Sequence, residues 1–144
     1  AIATYDAALD IKPDIPEALN NKGIVLTALG RTEEAIATYD AALAIKPDYH
    51  EAIFNKGNAL TALGLYEEAI AAYEDALVIN LNFHQAIYNK ARCCGLQGKV
   101  GLAFENLSKA IQLNPGECRK WAQTDTAFDA IRDHPDFKAL LSEI

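Results

Sequence analysis

The sequence is short of most things that would give it a chemistry of its own. It has no methionine, one tryptophan, three cysteines, five prolines and three histidines in 144 residues. No apolar run reaches the roughly 18 residues that a membrane span requires, and no charged-then-apolar segment of the secretory type opens the chain. Positive charge is scarce as well: 13 Lys and Arg stand against 20 Asp and Glu, for a net charge of −7. Such a balance disfavours nucleic acid and anionic membrane as partners. Cys93, Cys94 and Cys118 form no paired spacing of the zinc type. Reduced, core-filling thiols are expected, as suits a cytoplasmic protein. His50 and His84 lie a repeat apart, without the i, i+3 or i, i+4 spacing of metal ligands on one helix, and are expected as surface residues at helix starts. Gly95, Gly98 and Gly101 read as turn glycines, since no strand precedes them to make a phosphate loop. Neither a nucleophile elbow nor any other catalytic set is present, so no enzyme activity, cofactor or metal is expected.

What the sequence has in abundance is itself. Residues Ala1–Glu34 match Ala35–Glu68 at 25 of 34 positions, a third copy runs Ala69–Leu102, and a fourth begins at Ala103 and departs after about Glu117. Periods of this length mark stacked supersecondary units that share one continuous core, because two short helices cannot bury their apolar side alone. Counted from the first helix of each unit, the repeats are 16–49, 50–83 and 84–117. They are preceded by a half repeat, 1–15, and followed by a tail, 118–144, all in one array. Gly30, Gly64 and Gly98 fit the left-handed residue that ends a helix. Glu33–Glu34 and Glu67–Glu68 suit the first turn of the next one.

Small residues recur at fixed places: Gly23, Gly57 and Ala91 in the first helices, Ala35, Ala69 and Ala103 in the second. Tyr5, Tyr39, Tyr73 and then Leu107 follow, with Pro13, Pro47 and Pro115 closing units. This pattern resembles the tetratricopeptide repeat. Leu81 replaces one closing proline, and the helix before it is expected to run slightly longer. In the tail, Trp121 takes an aromatic place, Asp125 stands where Gly would be, and Phe128 lies further on. Pro135 is expected to break that helix before a short capping helix bearing Phe137, Leu140 and Leu141. The resemblance implies an all-α, right-handed solenoid of antiparallel helix pairs whose first helices line a concave groove.

On a helical wheel Ile53, Gly57 and Leu60 share one side. The opposite side carries Glu51, Phe54, Asn55, Asn58 and Ala62. Its equivalents are Glu17, Asn20, Asn21 and Ile24 before it, and Gln85, Tyr88, Asn89 and Arg92 after it. One position keeps an amide throughout, as Asn21, Asn55, Asn89 and Gln123. An amide can pair with both the N–H and the C=O of an extended peptide whatever its side chains. The array is similar here to the asparagine ladder of the tetratricopeptide domain in protein O-linked sugar transferases. Phe54 and Tyr88 are candidate exposed anchors. The family's clamp for a terminal carboxylate is absent, since Asn20, Ile24, Asn55, Gln85 and Asn89 occupy its places without a cation.

Lys22, Lys56 and Lys90 flank the core side and are expected to pair between repeats with Asp6, Asp40 and Glu74, each sixteen residues earlier. First helices are net basic, more so toward Arg92 and Arg119, and second helices net acidic, so a neutral or acidic extended segment of another protein is the expected ligand. The chain, which starts within a repeat, looks like a piece of a longer product. Two other roles follow from that: a substrate-recognition appendage of a larger enzyme such as a transferase, and a self-assembly module stacking into homo-oligomers through the open N-terminal half repeat.

Overall fold

The computed structural model describes residues 15–142, which places the half repeat, with Tyr5, Asp6 and Pro13, outside the described residues. Eight α-helices occur among the described residues, and no strand. They are α1 (Pro16–Ala28), α2 (Thr32–Ile45), α3 (His50–Ala62), α4 (Tyr66–Ile79), α5 (His84–Leu96), α6 (Val100–Leu113), α7 (Pro115–Thr124) and α8 (Pro135–Ser142). A 3-10 helix, Thr126–Ile131, sits between the last two. The chain divides into two compact units, Ala1–Ile79 and Asn80–Ile144.

In the first unit α1 packs on α2 and α3 on α4, and α2 also packs on α3. The paired helices reverse at Gly30 and Gly64, whose φ angles are +79° and +77°. Each turn closes the same way: Gly30 N–H donates to Thr27 O and Arg31 N–H to Leu26 O, as Gly64 N–H does to Thr61 O and Leu65 N–H to Leu60 O. Two otherwise orphaned helix carbonyls are satisfied by each such turn, which needs a residue free of the Cβ penalty at positive φ.

The aromatic and small places fit each other. A Cβ added to Gly23 would lie 2.4 Å from the Tyr39 ring, and one added to Gly57 would lie 2.6 Å from the Tyr73 ring. Both tyrosines are about 1% exposed. In the second unit the same pair is Ala91 and Leu107, both fully buried. The glycine relaxes to alanine where the ring it accommodates has gone.

In that second unit α5 packs on α6, and the 3-10 helix packs on both. Two expectations about helix ends differ from the structure. Helix α4 ends at Ile79, in the place where α2 ends at Ile45, so Leu81 does not lengthen it. The turn after it holds through Phe83 N–H to Asn80 O, the counterpart of Tyr49 N–H to Lys46 O, and needs no proline. Helix α7 stops at Thr124, well before Pro135, because Asp125 is extended (ψ 115°) and its carboxylate accepts from Ala127 N–H to start the 3-10 helix. Pro135 instead opens α8.

Candidate functional site

The face of each first helix away from its partner mixes a recurring amide with residues that vary between copies. On α1, Asn21 and Ile24 are exposed, whereas Asn20 is only 6% exposed. On α3, Phe54, Asn55 and Asn58 are half-buried. The sequence placed Asn20 among the groove residues. It instead accepts a hydrogen bond at Oδ1 from Asn55 Nδ2, at 3.0 Å, and lies beside the buried Tyr49 hydroxyl. Burial pushes the Tyr49 phenol up, Glu51 and Glu17 add to this, and the hydrogen bond with Asn20 pulls the other way. An apolar residue could not serve as acceptor there, so the amide of one repeat steers the amide of the next.

Asn58 accepts from the Tyr73 hydroxyl at 2.6 Å, and Thr61 Oγ1 lies 3.2 Å from the same hydroxyl. Phe54 meets the Tyr73 ring at 5.8 Å between centroids. Two of the residues expected to face a ligand therefore also hold the core tyrosine in place. Lys56 Nζ lies 2.7 Å from Asp40 Oδ1, with side chains 30% and 52% exposed. At that exposure the pair contributes no more than about 1 kcal/mol, so it fixes register more than stability. Asp6, the expected partner of Lys22, lies outside the described residues, and Lys90 and Glu74 belong to different units.

The corresponding face of α5 is closed by the tail. Tyr88, expected as an exposed anchor, is 3% exposed. Its ring meets Trp121 edge-on at 5.2 Å and Phe128 at 5.8 Å. The Tyr88 hydroxyl donates to Asp125 Oδ2 at 2.8 Å, and Arg92 Nε donates to the same oxygen at 2.7 Å. Burial first, then the Asp125 carboxylate, raise the Tyr88 phenol far above the ordinary tyrosine range. Arg92 is thus neutralised inside the unit, and Arg119 Nε donates to Leu140 O. These arginines are the ones the sequence assigned to a mildly basic ligand face, and both are spent on the tail. Exposed amide surface persists at Gln123, while Asn89 is half-buried.

His84 also departs from expectation, since it is not a bare surface residue. Its Nε2 lies 3.2 Å from both Glu117 Oε2 and Asn114 Nδ2, and its ring stacks on Trp121. Asn114 meanwhile caps α7 by accepting from Glu117 N–H. The sequence gave no sign of this cluster, because His84 lies 30 to 37 residues from the others and Glu117 and Trp121 have no counterpart in the other copies. Among the described residues no group of His, Cys, Asp and Glu could hold a metal ion, and no helix is long and apolar enough to cross a membrane.

Profiles described as tetratricopeptide repeat match residues 4–37, 50–83 and 84–117, and one described as TPR repeat matches 23–64. Together they span most of the chain. No curated protein matches. Among solved structures, a crystal structure of MamA has a TM-score of 0.78 at 22% identity over 97% of this chain and 84% of its own. MamA from residue 41 onward, from Desulfovibrio magneticus RS-1, has a TM-score of 0.81 at 22% identity, covering 96% and 77%. The Yersinia enterocolitica type III secretion chaperone SycD, in complex with a peptide of the translocator YopD, has a TM-score of 0.70 at 18% identity, covering 86% and 90%. At these identities the likeness is one of fold.

Proposed function

The chain belongs to the tetratricopeptide-repeat family, and we propose that it is a non-enzymatic scaffold whose first-helix faces hold an extended segment of another protein by its backbone. The amides that do so are Asn21 and Asn55 in the first unit, and Asn89 and Gln123 in the second. Phe54 offers apolar contact beside the first pair.

The observation that supports this reading most is the orientation of Asn55. One N–H of its amide is taken by Asn20, and the other N–H and Oδ1 have no partner among the described residues. An amide held by a buried neighbour loses little rotamer entropy when a peptide arrives, so its donor and acceptor are pre-organised for a backbone N–H and C=O. SycD, with its peptide of YopD, is a precedent for a peptide ligand on this fold. With Arg92 and Arg119 engaged internally, the faces carry little net positive charge, which favours a neutral segment over an acidic one.

The test is affinity capture from extract of the source cells with the wild-type chain and with an Asn55→Ala, Asn89→Ala variant, read by mass spectrometry. At a net 0.5–1.5 kcal/mol for each of several hydrogen bonds, the variant should lose about tenfold or more in retention of a specific partner. Its circular dichroism should match the wild type. Identical captures from the two would overturn the backbone-reading role.

A further inference from the structure

The second unit contains a cavity of about 170 Å³ between the N-terminal turn of α6 and the tail, lined by Val100, Gly101, Phe104, Ile131, His134 and Asp136. Its walls are mostly apolar. A volume of this size accommodates a group about as large as benzene. In the other copies the residues at this turn are Thr32-Glu33-Glu34 and Tyr66-Glu67-Glu68, whereas here they are Val100-Gly101-Leu102. A Cβ built on Gly101 would meet nothing within 4 Å. Val100, in its lining, is 42% exposed, so part of the apolar wall is open to solvent.

The mouth is acidic. Asp136 is largely exposed, and His134 lies 3.9 Å from its carboxylate. His134 Nδ1 accepts a hydrogen bond from Asp136 N–H, so that nitrogen does not donate to the carboxylate. Lys138, the nearest cation in sequence, lines a separate hollow together with Arg132, and Arg132 is turned away. Its guanidinium donates to the carbonyls of Ala122, Gln123 and Asp125 at the end of α7 and to Asp129.

We propose that this cavity is a second docking site, taking one leucine- or phenylalanine-sized side chain of a partner segment whose neighbouring residue is basic. The apolar side chain fills the hole between Phe104 and Ile131, and the cation meets Asp136. The site is separate from the amide-bearing first-helix faces and does not depend on them.

Four capped dipeptides serve as probes, titrated into the full ¹⁵N-labelled chain and followed by NMR: acetyl-Leu-Arg-amide, acetyl-Ala-Arg-amide, acetyl-Leu-Glu-amide and acetyl-Phe-Arg-amide. The Leu-Arg and Phe-Arg probes should shift the Gly101, Phe104 and Ile131 amides saturably, and the Ala-Arg probe should bind about tenfold more weakly or worse, since burying a Leu side chain is worth well over one decade in affinity. The Leu-Glu probe should also be weaker than Leu-Arg, and Asp136→Asn should erase that difference. Gly101→Leu fills the cavity from inside and should abolish the shifts. It replaces a helical glycine by a better helix former, so folding is retained. The Asn55→Ala, Asn89→Ala variant should bind the probes as the wild type does, which separates this site from the backbone-reading faces. Equal binding of the Leu and Ala probes, no saturable shift with any probe, or undiminished binding by Gly101→Leu would overturn the cavity as a site. Equal binding of Leu-Arg and Leu-Glu would overturn the basic neighbour.

Discussion

At the scale of single residues, the repeat works through matched pairs rather than through individual side chains. Gly57 and Tyr73 are one such pair. The Tyr73 ring cannot swing aside for a methyl group, because Asn58 and Thr61 hold its hydroxyl. Gly57→Ala should therefore cost about 1–3 kcal/mol in urea unfolding. In a Tyr73→Leu background the same substitution should cost at least about 1 kcal/mol less, as in the natural pairing of Ala91 with Leu107. Equal costs in the two backgrounds would show that the close approach is not what the glycine is for. The tyrosines also carry a pH dependence. Burial raises the phenol values of Tyr39, Tyr49 and Tyr88, with Asp125 adding to the last. Their stabilisation is fully present below the unfolded tyrosine value of about 10 and is lost as pH rises through the folded values. Alkaline titration of phenolate absorbance should show these three staying protonated until the chain unfolds. The sequence showed the small and aromatic places because they repeat. It did not show the roles of Asn20 and Tyr88, because a position that faces solvent on an isolated wheel can face the next repeat in the fold.

At the scale of helices and turns, local chemistry was readable where one residue decides the matter and unreadable where a distant one does. Gly30, Gly64 and Gly98 end their helices by backbone conformation alone, and all three have positive φ. Asp125 starts the 3-10 helix by a local bond from Ala127 N–H, but its reach to Tyr88 and Arg92, some 33 to 37 residues away, is encoded by no local pattern. The turn at Leu81 gives a test of the first kind. Leu81 is 76% exposed and stands where Pro47 stands in a turn of the same helix ends and the same closing hydrogen bond. Leu81→Pro should leave the helices unchanged and stabilise the chain by about 0.4–1 kcal/mol, by restricting the unfolded state. A loss of stability in denaturant would mean that the two turns differ in backbone conformation.

At the scale of the molecule, the array keeps nearly all its chemical reporters in one place. Cys93, Cys94, Cys118 and the single tryptophan, Trp121, all lie in the second unit. The three thiols are buried, and burial, with Glu117 beside it, pushes the Cys118 thiol up to about 11. The native chain should therefore resist a thiol reagent at neutral pH and react only through opening of that unit. Asp125 is expected to govern how often it opens. Its carboxylate satisfies the Tyr88 hydroxyl, the Arg92 guanidinium and the Ala127 N–H of the 3-10 helix at once. Asp125→Ala removes all three and should cost about 2–4 kcal/mol. At about tenfold per 1.4 kcal/mol, thiol labelling should then accelerate by about thirtyfold or more. Gly57→Ala, a comparable lesion confined to the first unit, gives the contrast: it should lower the stability of its own unit while changing the labelling rate far less. Equal acceleration by the two variants would mean that the thiols are exposed only by unfolding of the whole chain. No acceleration by Asp125→Ala would mean that its carboxylate does not hold the tail closed.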